Sequence, residues 1–237
     1  MAEAIVIGGQ RMWLKQYARG NRAFSLGLLG AVARRLHLDI LRPPPHRGGD
    51  AARDTEMRRL AELQAQQVNV PPVLGQGAAL LILGENGRSL ASCLREADPA
   101  ACDALVAAAL AALVRAHGNG AYFGQPLSRN MTWDGQAIGF LDFEEDPLEV
   151  MSLVQAQARD VLMLVRGVAR HYLGRPAALQ ALLDAAMAGE SPAVLDLVRE
   201  TAGRLHWLEV SGRWLGRSGQ ELSLTVAACR RVVGRAR

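Results

Sequence analysis

Two polar residues in the stretch from His117 to Pro147, HGNGAYFGQPLSRNMTWDGQAIGFLDFEEDP, are spaced for chemistry. Asn130 follows a loop, Asp142 follows a short apolar strand at 138–141, and a turn at Asp134-Gly135 lies between them. An amide and a carboxylate held side by side on a β-hairpin present two oxygens to one hard cation. Mg²⁺ on a nucleoside triphosphate takes ligands of that kind. Asn and Asp are also common loop residues, so the pair gains meaning only from the elements around it.

Those elements begin with two strands, 4–9 and 11–17, around a Gly8-Gly9 turn. In the second, RMWLKQY alternates, with Trp13 and Lys15 on one face and Met12, Leu14 and Gln16 on the other. Lys15 is the only lysine in the chain. Either chance left it there or its position needs a compact ammonium that arginine cannot replace. Residues 21–40 read as an apolar helix with Arg19, Arg22, Arg34 and Arg35 in or beside it. It is either a buried packing helix or a segment lying on a membrane surface. Pro43-Pro44-Pro45 ends it. A helix over 52–67 carries Glu56 near its start and turns Leu60, Leu63 and Val68 inward. Strands at 70–74 and 78–83 run into Gly84-Glu85-Asn86-Gly87. A helical region follows, with a long alanine-rich helix over 99–117, capped by Asp98, in its centre. Leu105, Ala109, Leu113 and His117 form its inward stripe, which makes His117 a structural residue. From 149 onward the chain is helical, and Arg175-Pro176 and Ser191-Pro192 each open a further helix. Trp207 and Trp214 are expected to share one buried helical face. The tail from Glu221 is basic and amphipathic; it is either a solvated face or a contact for a membrane or an acidic partner.

The order of these residues resembles the protein-kinase-like phosphotransferases. His117, Asn130 and Asp142-Phe143 fall in register with the His, Asn and Asp-Phe of that family's catalytic segment. The chain departs from the pattern in three places. Gln125 stands where the catalytic Asp belongs, Phe123 replaces the His before it, and Glu144 replaces the glycine after Asp-Phe. No glycine-rich loop precedes the lysine strand; either the N-lobe is trimmed or translation starts further upstream. The resemblance implies that Lys15 holds the α- and β-phosphates of ATP and that Glu56 pairs with it. It implies that the linker around Glu85 meets the adenine, that Asn130 and Asp142 bind Mg²⁺, and that Asp160 braces the catalytic loop. Gln125 can then orient an acceptor hydroxyl but cannot take its proton. Phe123 fills an apolar slot, Arg129 meets either a phosphate or the acidic run 144–146, and Glu144 offers an extra metal ligand or a substitute base.

At 237 residues, half of them hydrophobic and 21% charged, the chain can bury a sizeable core and is not of disordered composition. Cys93, Cys102 and Cys229 have neither metal nor disulfide spacing, which suggests a reducing compartment. No secretory signal is expected at the start, and no window of about 18 uninterrupted apolar residues suggests a transmembrane helix. The net charge of +4 is dispersed and lacks an aromatic platform, so nucleic acid is not an expected partner. The expected fold is α+β, kinase-like and two-lobed: a trimmed β-sheet N-lobe over 1–88 and a mostly helical C-lobe over 89–237, with a catalytic-type loop at 117–147. The expected function is ATP- and Mg²⁺-dependent phosphoryl transfer to a sugar or lipid-linked acceptor, and the resemblance is nearest to bacterial lipopolysaccharide-core sugar kinases. The expected place is the cytoplasm, with a peripheral position on the inner membrane as the sharper alternative. A pseudokinase that binds or scaffolds without transferring phosphate is the second functional reading.

Overall fold

The Gly8-Gly9 dipeptide closes a two-residue hairpin between β1 (Ala2–Ile7) and β2 (Gln10–Gln16), with both glycines at positive φ as such a turn requires. The computed structural model of the chain describes residues 2–18 and 39–233. The expected helix over 21–40 therefore lies outside the described residues, apart from a short 3-10 turn at Asp39–Leu41. Helix α1 (Gly49–Ala65) comes next, followed by a second hairpin, β3 (Val73–Gly77) and β4 (Leu80–Gly84). The four strands form one antiparallel sheet in the order β1-β2-β4-β3, with Lys15 opposite Leu81 and Met12 opposite Gly84.

The second hairpin shifts the expected strands, since β3 runs through 75–77, which the bounds 70–74 and 78–83 left between them. Gly75 and Gly77 are not turn residues; they lie in the strand beneath Ile82 and Leu80, whose side chains pass close to where a Cβ would stand. The chain instead reverses at Ala78-Ala79, with Ala79 at φ 49. Local composition marks glycine as a breaker, whereas cross-strand packing uses it for space.

A second sheet is built from β5 (Arg88–Ser89), β6 (Met131–Trp133) and β7 (Ile138–Phe140), all antiparallel. Because β5 already pairs with β6, the four-stranded sheet ends at Gly84 and residues 88 and 89 belong to the later part of the chain. Asp134 closes the β6–β7 turn by accepting from the amides of Gln136 and Ala137, each at 2.7 Å. At Gly139 the chain has no room for a side chain. A Cβ there would collide with Asn86 and would lie 2.5 Å from Thr132 Oγ1. Gly139→Ala is therefore expected to cost about 1–3 kcal/mol, measured as a shift in urea midpoint with unchanged m-value; a shift near zero would mean that the linker at Asn86 moves aside freely.

The helical part begins with α2 (Leu90–Glu96) and α3 (Pro99–Gly118). Asp98 caps α3 by accepting from the Ala101 amide at 2.8 Å. Length and hydropathy alone would let α3 cross a membrane. Here Val106, Ala109, Leu110 and Leu113 are fully buried in the protein core, which accounts for the apolar composition of that face. Helix α4 (Leu153–Val168) starts with a reciprocal capping box between Ser152 and Gln155. Prolines open α5 (Pro176–Met187) and α6 (Pro192–Arg204) as the sequence implies. Two further helices, α7 (His206–Ser211) and α8 (Gly216–Arg231), close the chain. α3 packs on α5, and α4 packs on α6 and α8. One buried cluster runs from Tyr17, just after β2, and Leu81 in β4 through Leu113 to Val198 and Cys229 in the helical part, so both parts share a core. The architecture is thus mixed α+β with small antiparallel sheets.

α7 ends at Ser211 and a 3-10 turn at Gly212–Trp214 follows, so Trp207 and Trp214 do not share a buried helical face. They are 57% and 88% exposed, which overturns the expectation that they belong to the core.

Candidate functional site

Strand alternation turns Lys15 inward, and it is 8% exposed. Its ammonium lies 3.0 Å from Glu56 Oε1 and 2.7 Å from Oε2. On its other side are Asp142 Oδ1 at 2.8 Å and Glu144 Oε1 at 3.1 Å. Tyr17, two residues further along the chain, donates its hydroxyl to Glu56 Oε2 at 2.7 Å. The Phe143 amide points to Glu56 Oε1 at 3.4 Å. One cation therefore ties β2, α1 and the segment after β7 together. Asp142 adopts φ 72, a left-handed conformation that Asp tolerates better than most residues, and its side chain remains about half exposed.

Helix α1 is held against the loop at 120–149 just after Glu56. Arg58 reaches Asp146 Oδ2 at 2.6 Å, and Asp146 Oδ1 also accepts from the Tyr122 hydroxyl at 2.8 Å. Arg59, 1% exposed, donates to the Tyr122 carbonyl at 2.6 Å, with its guanidinium 3.6 Å from the Tyr122 ring centroid. These inward-facing polar residues explain why α1 lacks a clean apolar stripe.

The loop itself is held from α4. Asp160, fully buried, accepts from the Phe123 amide at 2.6 Å and the Gly124 amide at 2.5 Å. Arg159 donates to the Gly124 carbonyl at 2.8 Å and to the carbonyls of Ile40 and Arg42. His117 lies behind Asp160, with Nε2 3.6 Å from Asp160 Oδ2, beyond hydrogen-bond length, and Nδ1 2.6 Å from Glu190 Oε2. Phe123 stacks on Phe140 with centroids 3.9 Å apart and approaches Phe143 at 6.3 Å.

The remaining expected residues are placed less directly. Asn130 is buried at the end of β6, where its carbonyl accepts from the Leu141 amide at 2.9 Å, one residue short of Asp142. Its side-chain amide donates to the Gln125 carbonyl at 3.1 Å. The carboxylates gathered around Asp142 are instead Glu56 and Glu144; one oxygen from each of the three lies within 4.8 Å of the others. Gln125 Nε2 is 3.4 Å from Glu145 Oε2. Glu85 is paired with Arg11 at 3.3 Å and is separate from the Lys15 cluster. It follows Gly84, which pairs with Met12, so three residues, or roughly 10 Å of strand, separate that linker from Lys15. Asn86 Nδ2 and Thr132 Oγ1 are buried there without a hydrogen-bond partner. Arg129 is exposed, and the acidic run is engaged elsewhere: Glu144 with Lys15, Glu145 with His46, Asp146 with Arg58.

Tyr17, Arg58, Arg59, Asp146 and Glu190 complete the site and were not singled out from the sequence. The only local hint is an arginine pair beside Glu56 facing an acidic run beside Asp142.

The charges are coupled. Burial by itself would lower the Lys15 ammonium, but Glu56, then Asp142 and Glu144, raise it well above its ordinary value. It stays protonated at any working pH. Burial raises the Glu56 carboxyl above the usual carboxylate range, against the pull of Lys15 and Tyr17. Burial and then Glu56 push the Tyr17 phenol up, so it remains a donor. Three carboxylates stand around one ammonium, and one oxygen from each could serve a metal ion. No known family's sequence profile matches this chain, and no curated protein matches it in sequence.

Proposed function

We propose that the chain is a kinase-like phosphotransferase that uses ATP with Mg²⁺ and acts on a sugar or lipid-linked acceptor of lipopolysaccharide type. The observation that carries this reading is the single lysine, held by a helix glutamate and reaching Asp142 from the far end of the second sheet. The order of elements supports it as well: lysine strand, glutamate helix, hairpin, linker, then a helical region. Lys15, kept cationic and fixed by Glu56, is suited to phosphate oxygens. Asp142 and Glu144, with Asn130 beside them in the ladder, are the residues that would hold Mg²⁺. The metal's contribution in such a site is to neutralise charge on the phosphates during transfer. The linker from Gly84 to Gly87, roughly 10 Å along the strand from Lys15, is the segment that would meet the adenine. Gln125 offers an acceptor hydroxyl a hydrogen bond from its amide, and its place on a loop fixed by Asp160 and Asn130 makes positioning its contribution.

A kinase-like binding protein without phosphoryl transfer is the second reading. What favours it is Gln125 itself, which takes no proton near neutral pH and occupies the place of a carboxylate.

Thermal unfolding with and without ATP plus Mg²⁺ tests both readings. Nucleotide at 100 times its dissociation constant is expected to add about 2.7 kcal/mol. That gain should require Mg²⁺ and vanish in Lys15→Ala and in Asp142→Asn, of which the second removes only a half-exposed charge. Absence of any shift at millimolar ATP would overturn the nucleotide reading. A shift without phosphate transfer to sugar acceptors selects the binding protein, whereas turnover that Asp142→Asn abolishes in a folded variant selects the enzyme.

A further inference from the structure

The most exposed apolar surface among the described residues lies at the other end of the chain, on α7 and the turn after it. Trp207, Val210, Trp214 and Leu215 are 57%, 59%, 88% and 66% exposed. Four large apolar side chains this exposed within nine residues, two of them tryptophan, are uncommon unless something covers them.

We propose that this face docks on an anionic lipid surface, with Trp207 and Trp214 entering the headgroup boundary and Arg204 and Arg217 meeting lipid phosphates. The inference goes beyond the phosphotransferase reading and does not rest on it.

Charge argues for this occupant. Residues 204–217 contain a single carboxylate, Glu209, and three arginines. Glu209 is turned inward, 5% exposed, and held by Arg230 at 2.9 Å, Arg231 at 3.0 Å and His206 at 3.1 Å. Arg204 and Arg217 keep 43% and 68% of their side chains exposed; Arg204 also reaches Glu200 at 2.7 Å, and Arg217 stands 3.9 Å from Glu221. Within 204–217 the arginines outnumber the one acid, which is withdrawn from the surface, and Arg217 is the more exposed of the two named cations. A second copy of this chain is a poorer occupant, because a two-fold contact would bring the two arginine rims face to face. An anionic bilayer complements both features, since tryptophan favours the interface and each arginine near the surface adds attraction.

The face also has a firm base. Ser223 Oγ donates to the Glu209 carbonyl at 2.6 Å, and Leu205 and Val226 form a small buried cluster with Leu41 and Leu208. Leu41 stands where the chain re-enters the described residues after the apolar, arginine-bearing stretch 19–38. The membrane contact that composition suggests for that stretch is thus assigned here to a different surface.

Co-sedimentation of the full chain with lipid vesicles tests the proposal. Binding is expected to vesicles of phosphatidylcholine mixed with phosphatidylglycerol and not to phosphatidylcholine alone, and to weaken with salt. Trp207→Ala/Trp214→Ala should reduce affinity by roughly tenfold or more without moving the thermal midpoint. Tryptophan emission should be quenched by brominated lipid in the parent and largely spared in the variant. Trp214→Ala alone gives the same readout in smaller degree if the double variant folds poorly. Failure of the parent to sediment with the anionic vesicles overturns the proposal. So does undiminished binding by the double variant, which would move the contact elsewhere in the chain. A dimer in sedimentation velocity that the double variant dissociates, with no vesicle binding, would assign the face to a second copy instead.

Discussion

Lys15→Met is expected to destabilise the protein by about 3–5 kcal/mol near neutral pH, the cost of leaving a buried charge without its partner. Methionine preserves the length of the side chain, so the loss measures the charge rather than the packing. Glu56, 1% exposed, would keep only the Tyr17 hydroxyl and the longer contact from the Phe143 amide. Asp142 and Glu144 would then add repulsion. The sign of the pH dependence follows from Glu56. Burial already raises its folded pKa above the unfolded value, and loss of the ammonium raises it further. A group with a raised folded pKa stabilises fully below its unfolded pKa and loses that contribution as pH rises through the folded one. The deficit of Lys15→Met against the parent should therefore shrink as pH falls from about 7 toward 5, read by urea unfolding at each pH. A deficit that stays constant across that range would mean that Glu56 is not the group left uncompensated. Mg²⁺ in the buffer should also reduce the deficit if the three carboxylates hold it.

Asp160→Ala is the second large effect, again about 3–5 kcal/mol. Two loop amides lose acceptors at 2.6 and 2.5 Å, and His117 loses one of its two carboxylate neighbours. Asp160→Asn keeps one acceptor oxygen and should recover part of the loss. Burial acts to lower His117, but Asp160 and then Glu190 outweigh it and raise its pKa to about 9. The parent should therefore hold this contribution fully below about pH 6.5 and lose it as pH rises through 9, with a magnitude on the order of 3 kcal/mol. In Asp160→Ala the decline should be smaller and complete at lower pH. Urea unfolding at a series of pH values from 6 to 10 measures both profiles. A parent profile flat over that range would show that His117 is neutral and that the triad with Asp160 and Glu190 carries no ion pair.

Much of the local structure was legible in the chain because its causes are local. Gly8-Gly9 sets the first hairpin, Asp98 caps its helix, and Pro176 and Pro192 open theirs, each acting within a turn of its own position. The meeting of Lys15 and Glu56 was expected from the resemblance of their order to the kinase-like pattern, not from any local signal. The β6–β7 hairpin placed Asn130 beside the residue before Asp142, a short turn fixing the register.

Other features depended on contacts that no local pattern encodes. Ala78-Ala79 rather than a glycine makes the second turn, because Ile82 and Leu80 need the space above Gly75 and Gly77. Asp142 faces Glu144 and Lys15, and Arg58 and Arg59 fasten α1 to the loop, through pairs many residues apart whose meeting requires the whole core to close. Trp207 and Trp214 share a helical period in sequence, but α7 stops at Ser211, and the packing of α8 leaves both rings in solvent. The chain alone determined which chemical groups stand on which element, because propensity, capping and turn chemistry act over a few residues. Only the tertiary structure decided which of those groups meet and which face outward, because that depends on how distant elements close around one core.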